Sequence, residues 1–181
     1  MKKILLLLIV VLISGCDIKE FESPYKPNEE RALINQVRGR VAMQLKKEKN
    51  LYPCGFGGGA VDKISMLALS FNYYNEIDIE KARDLLVTAG SLFIKEVNDN
   101  EQIRPYLKNY PFEPTNIEIR IFLRKPNGAF CDPDTLHVVS MINGKLDYEI
   151  DNSITHLFET IYSETFEEAL AKHSEKPASA I

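Results

Sequence analysis

Asn143-Gly144 is the feature that narrows the possible folds most. Both residue types accept the positive φ that a two-residue hairpin turn demands, and they lie between two alternating runs, Thr135 to Ile142 and Lys145 to Ile150. Such a turn fixes a register. Ile142 falls opposite Lys145, Met141 opposite Leu146, Val139 opposite Tyr148, and His137 opposite Ile150. Side chains alternate across a strand, so Val139, Met141, Leu146, Tyr148 and Ile150 share one face with His137, and that face is expected on the core. Lys145, Asp147 and Glu149 share the other.

The remaining elements follow from periodicity. Asn28 can cap a helix running to about Asn50, with Leu33, Val37, Val41 and Leu45 at four-residue steps. Its Glu29 and Glu30 at the start and Lys46, Lys47 and Lys49 at the end suit the helix dipole. Asp78 can cap a second helix to about Asn98, striped by Ile79, Ala82, Leu86, Ala89, Phe93 and Val97. Lys63 to Tyr74 and Asn116 to Arg124 alternate as strands. The glycine-rich stretch 51–62 between the first helix and strand is expected to be a connection. Residues 154–161 fit a helix or a short strand, and Thr165-x-x-Glu168 resembles a capping box opening a helix to about His173.

The order helix, strand, helix, strand, strand, strand, helix implies an α+β fold. The economical arrangement is an antiparallel sheet of about four strands with two long helices packed on one face and a short C-terminal helix. That outline is loosely similar to small helix-on-sheet folds such as the cystatin-like class. A single domain is expected over residues 28–173, with a disordered tail at 174–181.

The N-terminus carries the strongest functional signal. Lys2 and Lys3 precede ten uninterrupted apolar residues, Ile4 to Ile13. As a helix they would cover about 15 Å, half of a bilayer core of roughly 30 Å, which suits the apolar region of a signal peptide. Leu12-Ile13-Ser14-Gly15-Cys16 resembles the lipobox of bacterial lipoproteins. The resemblance implies cleavage before Cys16, a diacylglyceryl group on its sulfur, and acylation of its new amine by a chain such as palmitate. It implies a protein anchored to a cell membrane, facing the periplasm or the cell exterior. Asp17 resembles an inner-membrane retention signal and weakly favours that membrane over the outer one. Residues 1–15 are then the signal peptide and 16–27 a lipidated tether, whose Asp17 to Pro27 stretch reaches at most about 36–40 Å.

Loss of Lys2 and Lys3 from the 22 basic residues leaves 20 against 26 acidic ones, a net charge of −6. A net acidic chain is a poor partner for nucleic acid, whose binding rests on clustered Lys and Arg. The basic group Arg38, Arg40, Lys46, Lys47 and Lys49 reads as a solvated helix face or as a contact for anionic headgroups.

Candidate chemistry is sparse. With Cys16 lipidated, Cys54 and Cys131 remain, and an exported domain favours a disulfide between them. The closed loop of about 78 residues would contribute at most about 4.5 kcal/mol. Free thiols and a catalytic Cys54 are the alternatives. Gly55 to Ala60 lacks the GK[ST] of a phosphate loop and precedes a strand, so a flexible connection is the simpler reading. His137, His156 and His173 lack metal-site spacing. No cofactor or metal is implied, and no coherent catalytic set is visible. Tyr52, Phe56, Tyr106, Tyr110 and Phe112 lie in loop-like segments and are candidates for a partner-binding cluster, because aromatic side chains anchor interfaces. Phe130 is a further loop aromatic.

Three functions stay open. The first is a non-catalytic envelope lipoprotein binding a protein or another envelope component. The second is a small envelope hydrolase using Cys54 or His137, and the third a tethered spacer.

Overall fold

A computed structural model describes residues 29–174. The signal peptide, Cys16, the tether and residues 175–181 of the tail lie outside the described residues. Helix α1 (Glu29–Lys49) leads into β1 (Tyr52–Ala60) and β2 (Ile64–Tyr73). Helix α2 (Ile79–Asn98) and two 3-10 turns, Arg104–Tyr106 and Pro114–Asn116, precede β3 (Ile117–Leu123). Strands β4 (Leu136–Ile142), β5 (Lys145–Asp151) and β6 (Phe158–Thr165) follow, and α3 (Phe166–Ser174) ends the domain.

The strands form one six-stranded sheet in the order β1-β2-β3-β4-β5-β6. Every neighbouring pair is antiparallel except β2 and β3, which run parallel in the register Leu67 opposite Ile117 to Tyr73 opposite Leu123. The expected antiparallel sheet of about four strands with two long helices on one face is therefore corrected to a mixed six-stranded sheet with three helices among the described residues. The likeness to cystatin-like folds goes with it.

Two physical features account for the difference. Parallel neighbours need a long crossover, usually helical, and residues 74–116 supply one that contains α2. A glycine-rich run shows no side-chain alternation, so β1 looks like a loop although its backbone pairs with β2 from Tyr52 to Ala60. Residues 158–165 adopt the strand alternative.

Local rules otherwise hold. The Asp78 carboxylate accepts from the Lys81 amide at 2.7 Å and starts α2. Thr165 and Glu168 exchange the reciprocal bonds of a capping box, at 2.8 and 3.2 Å, and start α3. In the β4–β5 hairpin Asn143 and Gly144 both have positive φ, at 52° and 75°. Ile142, Met141 and Val139 meet Lys145, Leu146 and Tyr148 as the turn requires. The register then slips: Leu136, not His137, opposes Ile150, because a bulge at His137 adds a residue to β4.

The core lies between helices and sheet. Val37, Val41 and Leu45 of α1, Leu86 and Phe93 of α2, and Phe71, Ile119, Met141 and Tyr148 of the sheet are all fully buried. α1 packs on β1 and α2, α2 on β3 and β4, and α3 on α2 and β6. Gly90 lets α2 settle closely here, since a Cβ at that position would lie 2.7 Å from Met141 Sδ and 3.1 Å from the Phe166 ring.

Gly144→Val tests the hairpin. A Cβ at Gly144 meets Thr115 only at ordinary contact distance, 3.5 Å, so its cost comes from forcing a β-branched residue to positive φ. Urea unfolding is expected to show a loss of about 1–3 kcal/mol.

Candidate functional site

The two sheet edges differ. Outer strand β6 carries Glu159 and Glu164 and a bulge beside Tyr162. Outer strand β1 has no charged residue in nine positions. An edge strand exposes backbone donors and acceptors on its outer side, and charge is the usual guard against further pairing. β1 is protected instead by Pro53 and by irregularities near its two ends. Its central residues, Gly55 to Gly59, stay regular.

A groove runs between this strand and α1. Two hollows of about 640 and 690 Å³ share Asn35, Arg38 and Phe56 in their walls. The first extends toward Glu30, Arg31 and Ala60. The second extends toward Gly39, Ala42 and Cys54. Ile34, Leu67 and Leu69 supply apolar lining. Both volumes lie within the range of ordinary ligand sites.

Arg38 divides the groove. One guanidinium nitrogen donates to the Gly57 carbonyl, and the group lies 5.6 Å from the centre of the Phe56 ring. Glycine at 58 makes room for it, because a Cβ there would stand 2.7 Å from Arg38 Nη2 and 2.8 Å from the Met66 carbonyl. Among the described residues, Arg38 Nε is the one buried side-chain polar atom without a hydrogen-bond partner. No carboxylate of the described residues forms an ion pair with Arg38. Burial lowers its pKa from the ordinary guanidinium value, and the group still stays charged. A buried unsatisfied donor costs about 1–3 kcal/mol.

The structure separates the candidate aromatic cluster. Tyr52 and Phe56 are both on β1, and Phe56 is 75% exposed. Tyr106 is partly buried, and burial and the nearby Glu29 at the start of α1 raise its pKa. Tyr110 is exposed and stacks under Arg104 at 4.4 Å. Phe112 is 2% exposed and belongs to the core, where Asn98 holds its backbone through two hydrogen bonds of 2.7 and 2.9 Å. Phe130 is exposed beside Arg124. The basic group on α1 also divides: Arg38 turns to Phe56, Lys46 to Tyr52, and Arg40 to Glu96 at 3.2 Å.

Cys54 and Cys131 are both free, the first exposed on β1 and the second buried in the loop after β3. β2 lies between β1 and β3, so those two strands stand about 10 Å apart. Burial raises the pKa of each thiol, with Arg124 lowering Cys54 by a smaller amount. Reactive cysteines require the opposite shift. His137 is 5% exposed, its Nδ1 lies 3.0 Å from the Thr135 carbonyl, and its ring meets Phe158. Three strand spacings, roughly 14 Å, separate β1 from β4. Cys54 and His137 thus do not converge in one cleft. Among the described residues no group of three or more His, Cys, Asp or Glu could hold a metal ion.

Periodicity gave no sign of a polar centre between α2, β5, β6 and α3. The Glu164 side chain is 1% exposed. One of its oxygens accepts from Arg83 and from the Tyr148 hydroxyl, both at 2.6 Å. The other accepts from Lys172 at 2.7 Å and from Tyr162 at 3.3 Å. Burial alone would raise the Glu164 pKa, but the bonds from Lys172, Tyr148 and Arg83 outweigh it and hold the group below the ordinary carboxylate value. Burial and Glu164 together raise Tyr148. Every acceptor is engaged and little of the carboxylate meets solvent, so this centre fastens α3 to the sheet and offers no reactive group.

Compared with known proteins, the chain matches no family model, no curated protein and no solved structure. Among the described residues no helix is long and apolar enough to cross a membrane.

Glu164→Gln keeps the shape but removes the charge that three elements converge on. The expected loss is about 3 kcal/mol in urea at neutral pH. Because the folded pKa is depressed, the wild-type advantage is full above the ordinary carboxylate range, about 4.3. It disappears as pH falls through the lower folded value. The stability difference between the two proteins should therefore shrink steadily below about pH 4.3; a pH-independent difference would contradict the assignment.

Proposed function

We propose that this protein is a lipid-anchored envelope lipoprotein whose domain is a non-catalytic binding module, with the groove between α1 and β1 as its binding surface. The Leu12-to-Cys16 resemblance motivates the anchor. The observation that carries the binding role is the groove itself: an uncharged outer strand, an exposed Phe56 and a half-buried Arg38 with no acidic partner among the described residues, all on one surface. The separation of Cys54 from His137 speaks against the hydrolase alternative. A spacer needs no such groove.

Position supports the combination. α1 begins two residues after Pro27, and its first turns line one end of the groove. A helix of 21 residues is about 31 Å long, so the groove leads away from the point where a tether would attach. A partner bound there would be held close to the membrane.

Two readouts from one experiment test both halves. The native protein is expected to sediment with membranes and to yield an N-terminal fragment at Cys16 carrying acyl chains, while Cys16→Ser becomes soluble. A photo-crosslinking residue at position 39, in the groove, should give a discrete adduct in the native envelope. The same residue at position 159, on the opposite sheet edge, should not. An unmodified Cys16 thiol in native protein would end the anchor, and equal adducts at both positions would end the groove assignment.

A further inference from the structure

We propose that the groove receives an extended polypeptide segment of a partner, laid along β1 as a seventh strand, with one acidic side chain of that segment paired to Arg38. The inference rests on the binding role assigned to this groove and names its ligand class.

Three features specify the ligand. First, β1 is an outer strand whose central residues carry no charge and keep regular pairing with β2. Main-chain bonding to such an edge is the ordinary way that a sheet captures an extended peptide. A strand added beyond β1 would continue the sheet beside α1, and its alternate side chains would point into the groove.

Second, the groove wants a negative charge at one defined point. Arg38 spends one nitrogen on the Gly57 carbonyl, while its Nε is buried and has no partner among the described residues. The other charged residues in the lining are Glu30 and Arg31, each with an interaction of its own. A guanidinium offers two parallel N–H donors to a carboxylate, a match that a neutral amide lacks. Glycine at 58 keeps this position open, because a side chain there would displace Arg38.

Third, apolar side chains lie on either side of Arg38. Ile34 and Leu67 line one side, Ala42 and Leu69 the other. An acidic residue flanked at two-residue spacing by apolar side chains fits this order, since residues i and i+2 of a strand face the same way.

The probe is a pair of blocked heptapeptide libraries, randomised except for a fixed fourth residue, Glu in one and Gln in the other. Each is passed over the immobilised full-length protein, purified as the cell makes it. The protein should retain the Glu library at least ten-fold better than the Gln library, about 1.4 kcal/mol. Arg38→Gln should remove that preference. Gly39→Phe should retain neither library: the Cβ of residue 39 meets nothing within 4 Å, so the ring fills the groove without disturbing the helix. Equal retention of the two libraries, lost in Gly39→Phe, would overturn the acidic contact and leave the groove as the binding surface. No retention of either library would overturn the strand-addition proposal, and the position-39 adduct would then judge the groove by itself. Displacement of both libraries by a peptide of residues 17–27 would make this chain's own tether the occupant and also overturn the proposal. Phosphatidylglycerol vesicles bound by the wild type and lost in Gly39→Phe, with no peptide retained, would assign the groove to lipid instead.

Discussion

The parallel pairing of β2 with β3 decides the rest of the architecture. A parallel neighbour cannot be reached by a hairpin, so the chain must leave the sheet, run α2 across it and return. That excursion places α2 over β3 and β4, where Gly90 brings the helix close to Met141. It also fixes β2 between β3 and β1, leaving β1 with one neighbour among the described residues. α1, packed on both α2 and β1, then stands beside the outer strand and forms one wall of a groove. The open edge and the groove follow from a single change of strand direction.

The far side of the sheet is secured differently. β5, β6, α2 and α3 meet around one carboxylate, with Arg83 and Lys172 from the helices and Tyr148 and Tyr162 from the strands. Burying a charge is costly unless its bonds are complete, and at Glu164 they are. Arg38 is the opposite case. Both groups are charged and withdrawn from water, but one has every bond filled and the other has a buried donor with no partner among the described residues. A satisfied charge fixes a structure, whereas an unsatisfied one beside a groove points to a missing partner.

Much of the local structure was legible in the residues. Asn143-Gly144 set most of the hairpin, Asp78 and Thr165 marked two helix starts, and the apolar stripes of α1 and α2 located both long helices. Three things were not. β1 was hidden because glycine has no side chain to alternate, so a strand made almost wholly by backbone looks like a loop. The direction of β2 relative to β3 depends on a crossover, and periodicity within each strand carries no information about it. The register beyond Val139 depended on a bulge at His137 that no local rule announces.

The site was legible in pieces. Tyr52, Phe56 and Arg38 were each singled out, but for different reasons: two as loop aromatics and one as part of a basic helix face. Their juxtaposition required β1 to be a strand beside α1. Phe112 was misplaced because an aromatic residue between prolines resembles an exposed loop anchor, and Asn98 instead draws it into the core. Glu164 was not singled out, since its partners come from positions 83, 148, 162 and 172.

Binding along β1 requires it to be a paired strand with a free outer edge. Residue-resolved amide hydrogen exchange over Gly55–Gly59 measures that directly. In an edge strand the amides alternate between the neighbour and the outside, so every second amide in this stretch should be protected and those between should exchange quickly. Fast exchange at all five would return the segment to a loop, and protection at all five would mean that the edge is already covered.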